Sequence, residues 1–518
     1  MEGDRYSNYR IWQPLLLGVV AVLGFWAGIK VKLLPPSPEQ QTEIRKLEQN
    51  HIQKIQDVIS YIQSKYVDSL NQQKLIQSAL ESYVNALDPY SEYIPADEFQ
   101  TYQNALSGKQ TGFGTELYFI DSNLVFFNTL KNSKAYQSGI RNGDEVLELN
   151  GLVVSKNRDR IYALLQQILD SKLDSVNLKA YHRQTNKVQN HIWKVDSYEE
   201  PAVKWVHLMD QDIVYLKIDQ FIKGSYREFM EYMEEFVSEK KGKHLIIDVR
   251  GNSGGLVNEV AYILNQLIYE KEKLLFHTNG FHVKKKEYKS TGNAFFKVQN
   301  IAVLMDSNTA SAAELFAMAL KDLNRAKIIG DTSFGKSTIL EQFNLADGSA
   351  IRLAIARFTT LSGKNIQAYH TQNNSVVPVS DADAAEESQA PAESAGSALF
   401  APGVLPDVLY EDQNQILKDK DLVEYIDKRI LEQILFYSRI SQDHPDRIYE
   451  SKEIKEQIQK EYKACPENLR KGIAAELFEQ EFRYALCAWL FNSELEQRDR
   501  LRKDEIIQIA IRAIKGSF

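Results

Sequence analysis

Ile301-Ala302-Val303-Leu304-Met305-Asp306-Ser307-Asn308-Thr309-Ala310-Ser311-Ala312-Ala313-Glu314 reads as an apolar strand, a polar turn and the opening of a helix. Working outward, residues 244–249 give a second apolar strand, followed by the glycine-rich turn Arg250-Gly251-Asn252-Ser253-Gly254-Gly255. Strands then alternate with helical patterns over residues 203–367. Short apolar runs bounded by turns and alternating with helices predict an α/β core. Ser311 falls in a strand-to-helix turn, close to the positive helix end and to backbone N–H groups outside the helical ladder. A serine at a helix start is ordinarily only a cap, so the residues around it decide its role.

A nucleophilic hydroxyl needs a base to take its proton. The nine histidines lie in no suggestive motif, and no CxxC or HExxH pattern offers a metal. The chemistry calls for no metal, nucleotide or other cofactor. Lysine serves as a base when burial shifts it toward the neutral amine. Lys336, in Thr332-Ser333-Phe334-Gly335-Lys336, ends the next strand-turn unit. The amide of Ala312, with one from the glycine-rich turn at 250–255, suits a tetrahedral oxyanion. Residues 330–337 also fit G-x-x-x-x-G-K-[ST], the phosphate-cradling loop. Such a loop must open a helix, whereas Ala346-Asp347-Gly348-Ser349 lies between two extended runs as a hairpin turn. That leaves no room for the helix, and the nucleotide reading fails.

At 518 residues the chain exceeds one compact core, with the 43% hydrophobic and 25% charged content of a globular protein. Its 62 basic and 70 acidic residues, with no concentrated basic face, argue against nucleic acid as a partner. Residues 11–29 are apolar or glycine except for Gln13 and Pro14, with Trp12 and Trp26 near the ends. That length matches a membrane-spanning helix or signal segment. No convincing A-x-A pattern follows it, which favours a retained anchor. In the helical stretch beyond it, Ile44, Leu47, Ile52, Ile55, Ile59 and Ile62 keep the spacing of core or partner-helix packing. Residues 371–400 carry five acidic residues and no basic one, predicting a disordered acidic insertion. Beyond residue 410 the pattern is charged and helical. Cys465 and Cys487 cannot form a zinc site alone; a disulfide and two separate core thiols both stay open.

Residues 107–198 turn to short strands. Gly112-Phe113-Gly114 precedes one, and Ser138-Gly139-Ile140-Arg141-Asn142-Gly143-Asp144 leads into Glu145-Val146-Leu147-Glu148-Leu149-Asn150-Gly151. The succession resembles a PDZ domain. That resemblance implies that the loop of Gly112, Phe113 and Gly114 receives a peptide's terminal carboxylate while the peptide extends the sheet edge.

The run Thr309-Ala310-Ser311-Ala312-Ala313-Glu314, with Gly330 and Thr332-Ser333-Phe334-Gly335-Lys336, resembles the active-site signature of the carboxy-terminal processing (tail-specific) peptidases. The likeness extends over about residues 50–408. It includes Tyr66-Val67-Asp68, Leu87-Asp88-Pro89-Tyr90-Ser91-Glu92-Tyr93, Asp248-Val249-Arg250-Gly251-Asn252-Ser253-Gly254-Gly255 and Gly403-Val404-Leu405-Pro406-Asp407. It implies a Ser–Lys dyad, with Ser311 as nucleophile, Lys336 as base and Glu314 as an accompanying polar residue. Gly254 or Gly255 with Ala312 would form the oxyanion hole. It also implies a body in the periplasm and substrates that are proteins or peptides with exposed C-terminal tails. The helical ends would serve homo-oligomer or adaptor contacts.

Two positions depart from the family pattern. Ser337 stands where glycine usually follows the lysine, and Leu340 where a glutamine usually orients it. Gln342, two residues on along a strand, is expected to point the same way and to substitute. The missing glutamine also motivates a rival, a non-catalytic PDZ scaffold binding protein tails; the retained serine, lysine, glutamate and glycine turns argue against it. The expected fold is multidomain α/β, with an N-terminal membrane anchor (11–29), a helical segment (39–106) and a PDZ-like β-rich domain (107–198). An α/β peptidase core (199–370 and 401–410) follows, interrupted by the insertion (371–400), and then a helical C-terminal region (411–518).

Overall fold

The computed structural model describes residues 38–516 apart from 107–108, 121, 131–132, 170–174, 184, 195, 200, 211, 373–374, 379–402, 411–419, 442–445, 472, 491–499 and 502. The expected anchor at 11–29 and most of the acidic segment lie outside the described residues. Among those described, no helix is long and apolar enough to cross a membrane.

The chain divides into two units, residues 1–79 and 80–518. In the first, helix Pro38–Lys65 precedes the start of helix Gln72–Asn85. Ile52 and Ile55 keep helical spacing but are 58% and 61% exposed, so these two are not core in this chain, as one of the stripe's two readings had it.

The second unit is built on a six-stranded sheet ordered Val203–Met209, Ile213–Ile218, His244–Asp248, Ile301–Met305, Lys327–Gly330 and Val408–Leu409. The first pair is antiparallel and the remaining pairings are parallel. Its central strand Ile301–Met305 reads as a continuous apolar run because both faces are covered. Ile301, Val303 and Met305 point into a core shared with helices Ser225–Met233, Val257–Leu267 and Ala312–Asp322. Ala302 and Leu304 point the other way, onto Ile507, Ala510 and Ile514 of helix Glu505–Ile514. The period-2 alternation thus buries alternate residues on two helical layers.

A second sheet joins Glu92–Ile94, Ala350–Thr359, Leu274–Asn279 and Lys286–Lys289, with Thr338–Asn344 paired to Ala350–Thr359 as a hairpin. A strand therefore follows Lys336, which excludes the phosphate-loop geometry. Strands Tyr369–Gln372 and Ser375–Pro378 also pair, so the insertion boundary placed at residue 371 falls inside ordered hairpin.

Over residues 109–199 a meander of strands with helix Arg158–Leu169 encloses its own core of Leu124, Phe126, Ile140, Val146, Ile161 and Trp193. Strand Glu116–Ile120 lies at the edge of that sheet. The C-terminal helices form a separate apolar cluster that takes in Ile120 and Val125 of the meander. Cys465 and Cys487 are both buried within it and are not bridged to each other.

Candidate active site

Three loops leave the carboxyl ends of adjacent parallel strands, where open α/β sheets place their sites. They are residues 249–256 after His244–Asp248, 306–311 after Ile301–Met305, and 331–337 after Lys327–Gly330. Backbone bonds lace them together: Ala310 N–H donates to the Asn252 carbonyl and Phe334 N–H to the Thr309 carbonyl, each at 2.9 Å. Thr309 adds a side-chain bond, its hydroxyl donating to the Val249 carbonyl at 2.9 Å.

Ser311 is the residue before helix Ala312–Asp322 and adopts φ 56°, ψ −118°. A positive φ is unfavourable for a residue with a Cβ and persists only where the surroundings enforce it. The enforcing group is Glu314. Its fully buried carboxylate accepts N–H bonds from Ser311 (2.7 Å), Gly335 (2.7 Å) and Lys336 (2.8 Å), and the Ser333 hydroxyl at 2.5 Å. One side chain thus ties the nucleophile loop to the lysine loop. Burial pushes its carboxyl above the ordinary glutamate range, while the four donors pull the other way.

Lys336 is partly buried. Desolvation holds its amine below the usual lysine range despite the charges of Glu92, Asp88 and Glu314, which favour the ammonium. Its Nζ lies 4.7 Å from the centre of the Tyr90 ring. Lys336 lines a cavity of about 630 Å³ together with Tyr90, Gly251, Ser253, Ala310 and Phe334.

The glycine turn approaches the serine closely. A Cβ on Gly254 would sit 2.8 Å from both the Ala310 oxygen and Ser311 Cβ, and 2.9 Å from the Ala312 nitrogen; its φ is +106°. The Gly254 N–H, however, donates to Asn252 Oδ1 at 2.8 Å. Its expected part as an oxyanion donor is therefore corrected. Among the described residues, the amides of Gly255 and Ala312 meet no acceptor.

Gln342 is likewise corrected: its amide donates to Asn344 at 2.8 Å, along its own exposed strand. The glutamine beside the lysine loop is Gln367, which is 2% exposed. Its Oε1 accepts from Ser337 N–H (2.9 Å), the Ser337 hydroxyl (3.0 Å) and the Thr338 hydroxyl (3.0 Å), and its Nε2 donates to the Tyr90 hydroxyl at 3.0 Å. Sequence reasoning passed over Gln367, which belongs to no motif, and gave Tyr90 no role within its own.

At the base of the glycine turn, Arg250 binds Asp248 (2.6 Å) and Asp504 of the C-terminal region (3.0 Å). Burial alone would raise the Asp248 carboxyl, but Arg250 and Lys217 bring it down to about 2. Over residues 112–114, the Phe113 side chain is buried against Trp193 at a centroid distance of 4.9 Å. That side chain cannot meet a peptide as well, so any contact there falls to backbone. Among the described residues, no cluster of histidine, cysteine, aspartate and glutamate could hold a metal.

Residues 212–377 match Peptidase family S41, and residues 19–98 match the activating protease CtpB N-terminal domain. Carboxy-terminal processing protease CtpB of Bacillus subtilis is 28% identical over 354 residues, spanning 66% of this chain and 71% of the relative. A probable CtpA-like serine protease of Staphylococcus epidermidis is 25% identical over 373 residues, spanning 70% and 73%. Among solved structures, a photosystem II D1 C-terminal processing protease aligns at 19% identity with a TM-score of 0.37, covering 68% of this chain and 86% of that one.

Proposed function

We propose that this chain, a serine-type peptidase similar to the S41 carboxy-terminal processing proteases, cuts proteins near or from their C-terminal tails with Ser311 as nucleophile and Lys336 as base. The observation that carries this is the Glu314 carboxylate, which holds the Ser311 and Lys336 amides on one atom at 2.7 and 2.8 Å. Neutral Lys336 takes the Ser311 proton as the hydroxyl attacks the scissile carbonyl. The oxyanion meets the amides of Ala312 and Gly255, at the positive end of the helix. The ammonium then protonates the leaving amine, giving an acyl-enzyme. Lysine next takes a proton from the water that attacks the ester, and returns it to the departing Ser311 oxygen as the acid is released.

Tail recognition belongs, in this proposal, to the PDZ-like residues 107–198. Support comes from strand Glu116–Ile120, which follows the Gly112–Gly114 turn and is the last strand of its sheet among the described residues, and from helix Arg158–Leu169 alongside, where Phe119 and Tyr162 pack at 4.8 Å. A peptide would extend that strand as an added edge. We further propose that residues 11–29 anchor the chain in a membrane with its body in the periplasm. The exposed Ile52 and Ile55 suit a homo-oligomer or adaptor contact.

The test compares wild type with Ser311→Ala and Lys336→Ala on a loosely folded protein carrying an apolar C-terminal tail. Cleavage by wild type alone is the expected result. Undiminished cleavage by Ser311→Ala would sink the assignment. Removal of residues 108–195 is expected to abolish the preference for tailed over tailless substrate, and an unchanged ratio would refute tail docking.

A further inference from the structure

Both departures from the family pattern, Ser337 and Leu340, fall within four residues of Lys336. Gln367 gives them a common explanation. Ser337 N–H can only donate, so the glutamine oxygen must face it, and the amide nitrogen must then face Tyr90. Orientation is thus forced by the network. The Ser337 hydroxyl adds a second donor to the same oxygen, one that glycine at this position would lack. Tyr90 is pinned from its other end as well: Asp88 Oδ1 accepts the N–H groups of Tyr90 and Ser91, both at 2.7 Å. The ring so fixed presents its face to Lys336 Nζ at 4.7 Å, within the range of a cation–π contact.

We propose that Gln367, acting through the Tyr90 hydroxyl, is the positioning residue for Lys336. It does from a distant segment what a glutamine at position 340 would do locally. Leu340 is released from that task and pairs with Ala354 in the hairpin. The inference rests on the reading of Lys336 as the base. A lysine base is effective only while its amine is held at the serine and out of bulk water. Its four-carbon stem has ample freedom to swing away unless something fixes it. The charged groups facing it are Asp88, Glu92 and Glu314, with Arg352 paired to Glu92 at 2.6 Å. All three carboxylates favour the ammonium. An amine that escapes its desolvated seat regains water and keeps those neighbours, so its pKa rises and less of it is neutral at a given pH.

The experiment uses the full chain and a tailed substrate, with Tyr90→Phe, Gln367→Met, the double variant and Lys336→Ala. Tyr90 is only partly buried, so Tyr90→Phe removes the hydroxyl and leaves ring and fold in place, even if Gln367→Met folds poorly. The expected result is a kcat about tenfold lower at neutral pH for each single variant, with KM unchanged. The acid limb of the pH profile should move about one unit upward, a tenfold smaller neutral fraction. The double variant should be no worse than either single one, since both cut the same tie. An acid limb that stays in place in Tyr90→Phe, or losses that multiply in the double variant, would overturn the proposal. Lys336→Ala separates the two failures. If it retains turnover, the base assignment falls and this inference with it. If it is inactive while Tyr90→Phe is unchanged, only the tie is wrong.

Discussion

Replacing Glu314 with glutamine removes one charge and one acceptor where the nucleophile loop meets the lysine loop. Oε2 receives the amides of Ser311 and Lys336; Oε1 receives the Gly335 amide and the Ser333 hydroxyl. An NH2 group in the Oε2 position would confront two backbone donors. In the Oε1 position it confronts only Gly335 N–H, because the Ser333 hydroxyl can turn and accept. The second orientation therefore prevails. One buried donor left unsatisfied costs roughly 1–3 kcal/mol, and the two bonds retained at Oε2 each weaken by about 1 kcal/mol without the charge. Burial opposes the carboxylate already, which offsets part of this loss. The net loss is about 2–4 kcal/mol of unfolding free energy, read as a lower urea midpoint at unchanged slope. Turnover should fall at least tenfold as the Ser311 loop loosens, while the Lys336 amine keeps its seat at Tyr90. The pH profile supplies an independent sign. Glu314 favours the Lys336 ammonium, so its neutralisation moves the acid limb to lower pH, opposite to Tyr90→Phe. A change under about 1 kcal/mol with kcat within about twofold would refute the view that this carboxylate holds the site together.

Gly254→Ala places a Cβ against Ser311 and Ala312 at a φ of +106°, and should abolish turnover, with peptide binding retained in a direct binding assay. Asp504→Asn keeps the helix cap on Ile506 but removes one ionic partner of Arg250. A loss of about 1–2 kcal/mol in urea unfolding and of about fivefold in kcat is expected, and the kcat loss distinguishes it from a merely structural change. The Asp248 carboxyl is depressed from 3.8 to about 2, so its pairing stabilises the fold above about pH 4 and is lost as pH falls through about 2. Wild type should lose about 2 kcal/mol more than Asp248→Asn between pH 5 and pH 2 in denaturant titrations.

The central strands were legible because their residues are apolar on both faces, and Ser311 because a polar turn between strand and helix is a local pattern. Glu314 was legible as a neighbour of the serine, but its reach to Ser333, Gly335 and Lys336 was not. Gln367 and Tyr90 are 277 residues apart, and Arg250 and Asp504 254. Periodicity reports which face a residue occupies and carries no information on which distant segment meets it. The same limit explains the expectation for Gln342. Alternation put it on the side of residue 340, and the regular register from Leu340 to Asn344 agrees, but its amide bonds Asn344 two residues along the strand. The glycines of residues 254 and 255 were recognisable as a turn, but the direction of the Gly254 amide depends on Asn252 and shows only in three dimensions.

The C-terminal region, where the family pattern had run out, belongs physically to the catalytic unit. Its helices up to residue 490 bury Ile120 and Val125 of the strand-rich module, pack Trp489 against Phe127 at 4.6 Å and bond Ala488 to Asn142. Helix Glu505–Ile514 covers the rear face of the central sheet, with Ile506, Ile507 and Ala510 on Ile246, Ala302 and Leu304. Arg500 joins the two halves through Glu481 at 2.9 Å. Asp504 then reaches Arg250, the first residue of the turn that brings Gly254 against Ser311. The sheet face beneath that helix is as apolar as the face beneath Ala312–Asp322. It cannot stand open to water, because burying such side chains is what stabilises each layer. Packing therefore links the strand-rich module to the glycine turn through the described residues of 420–490 and 500–514, and the turn's geometry depends on chain far beyond the peptidase signature.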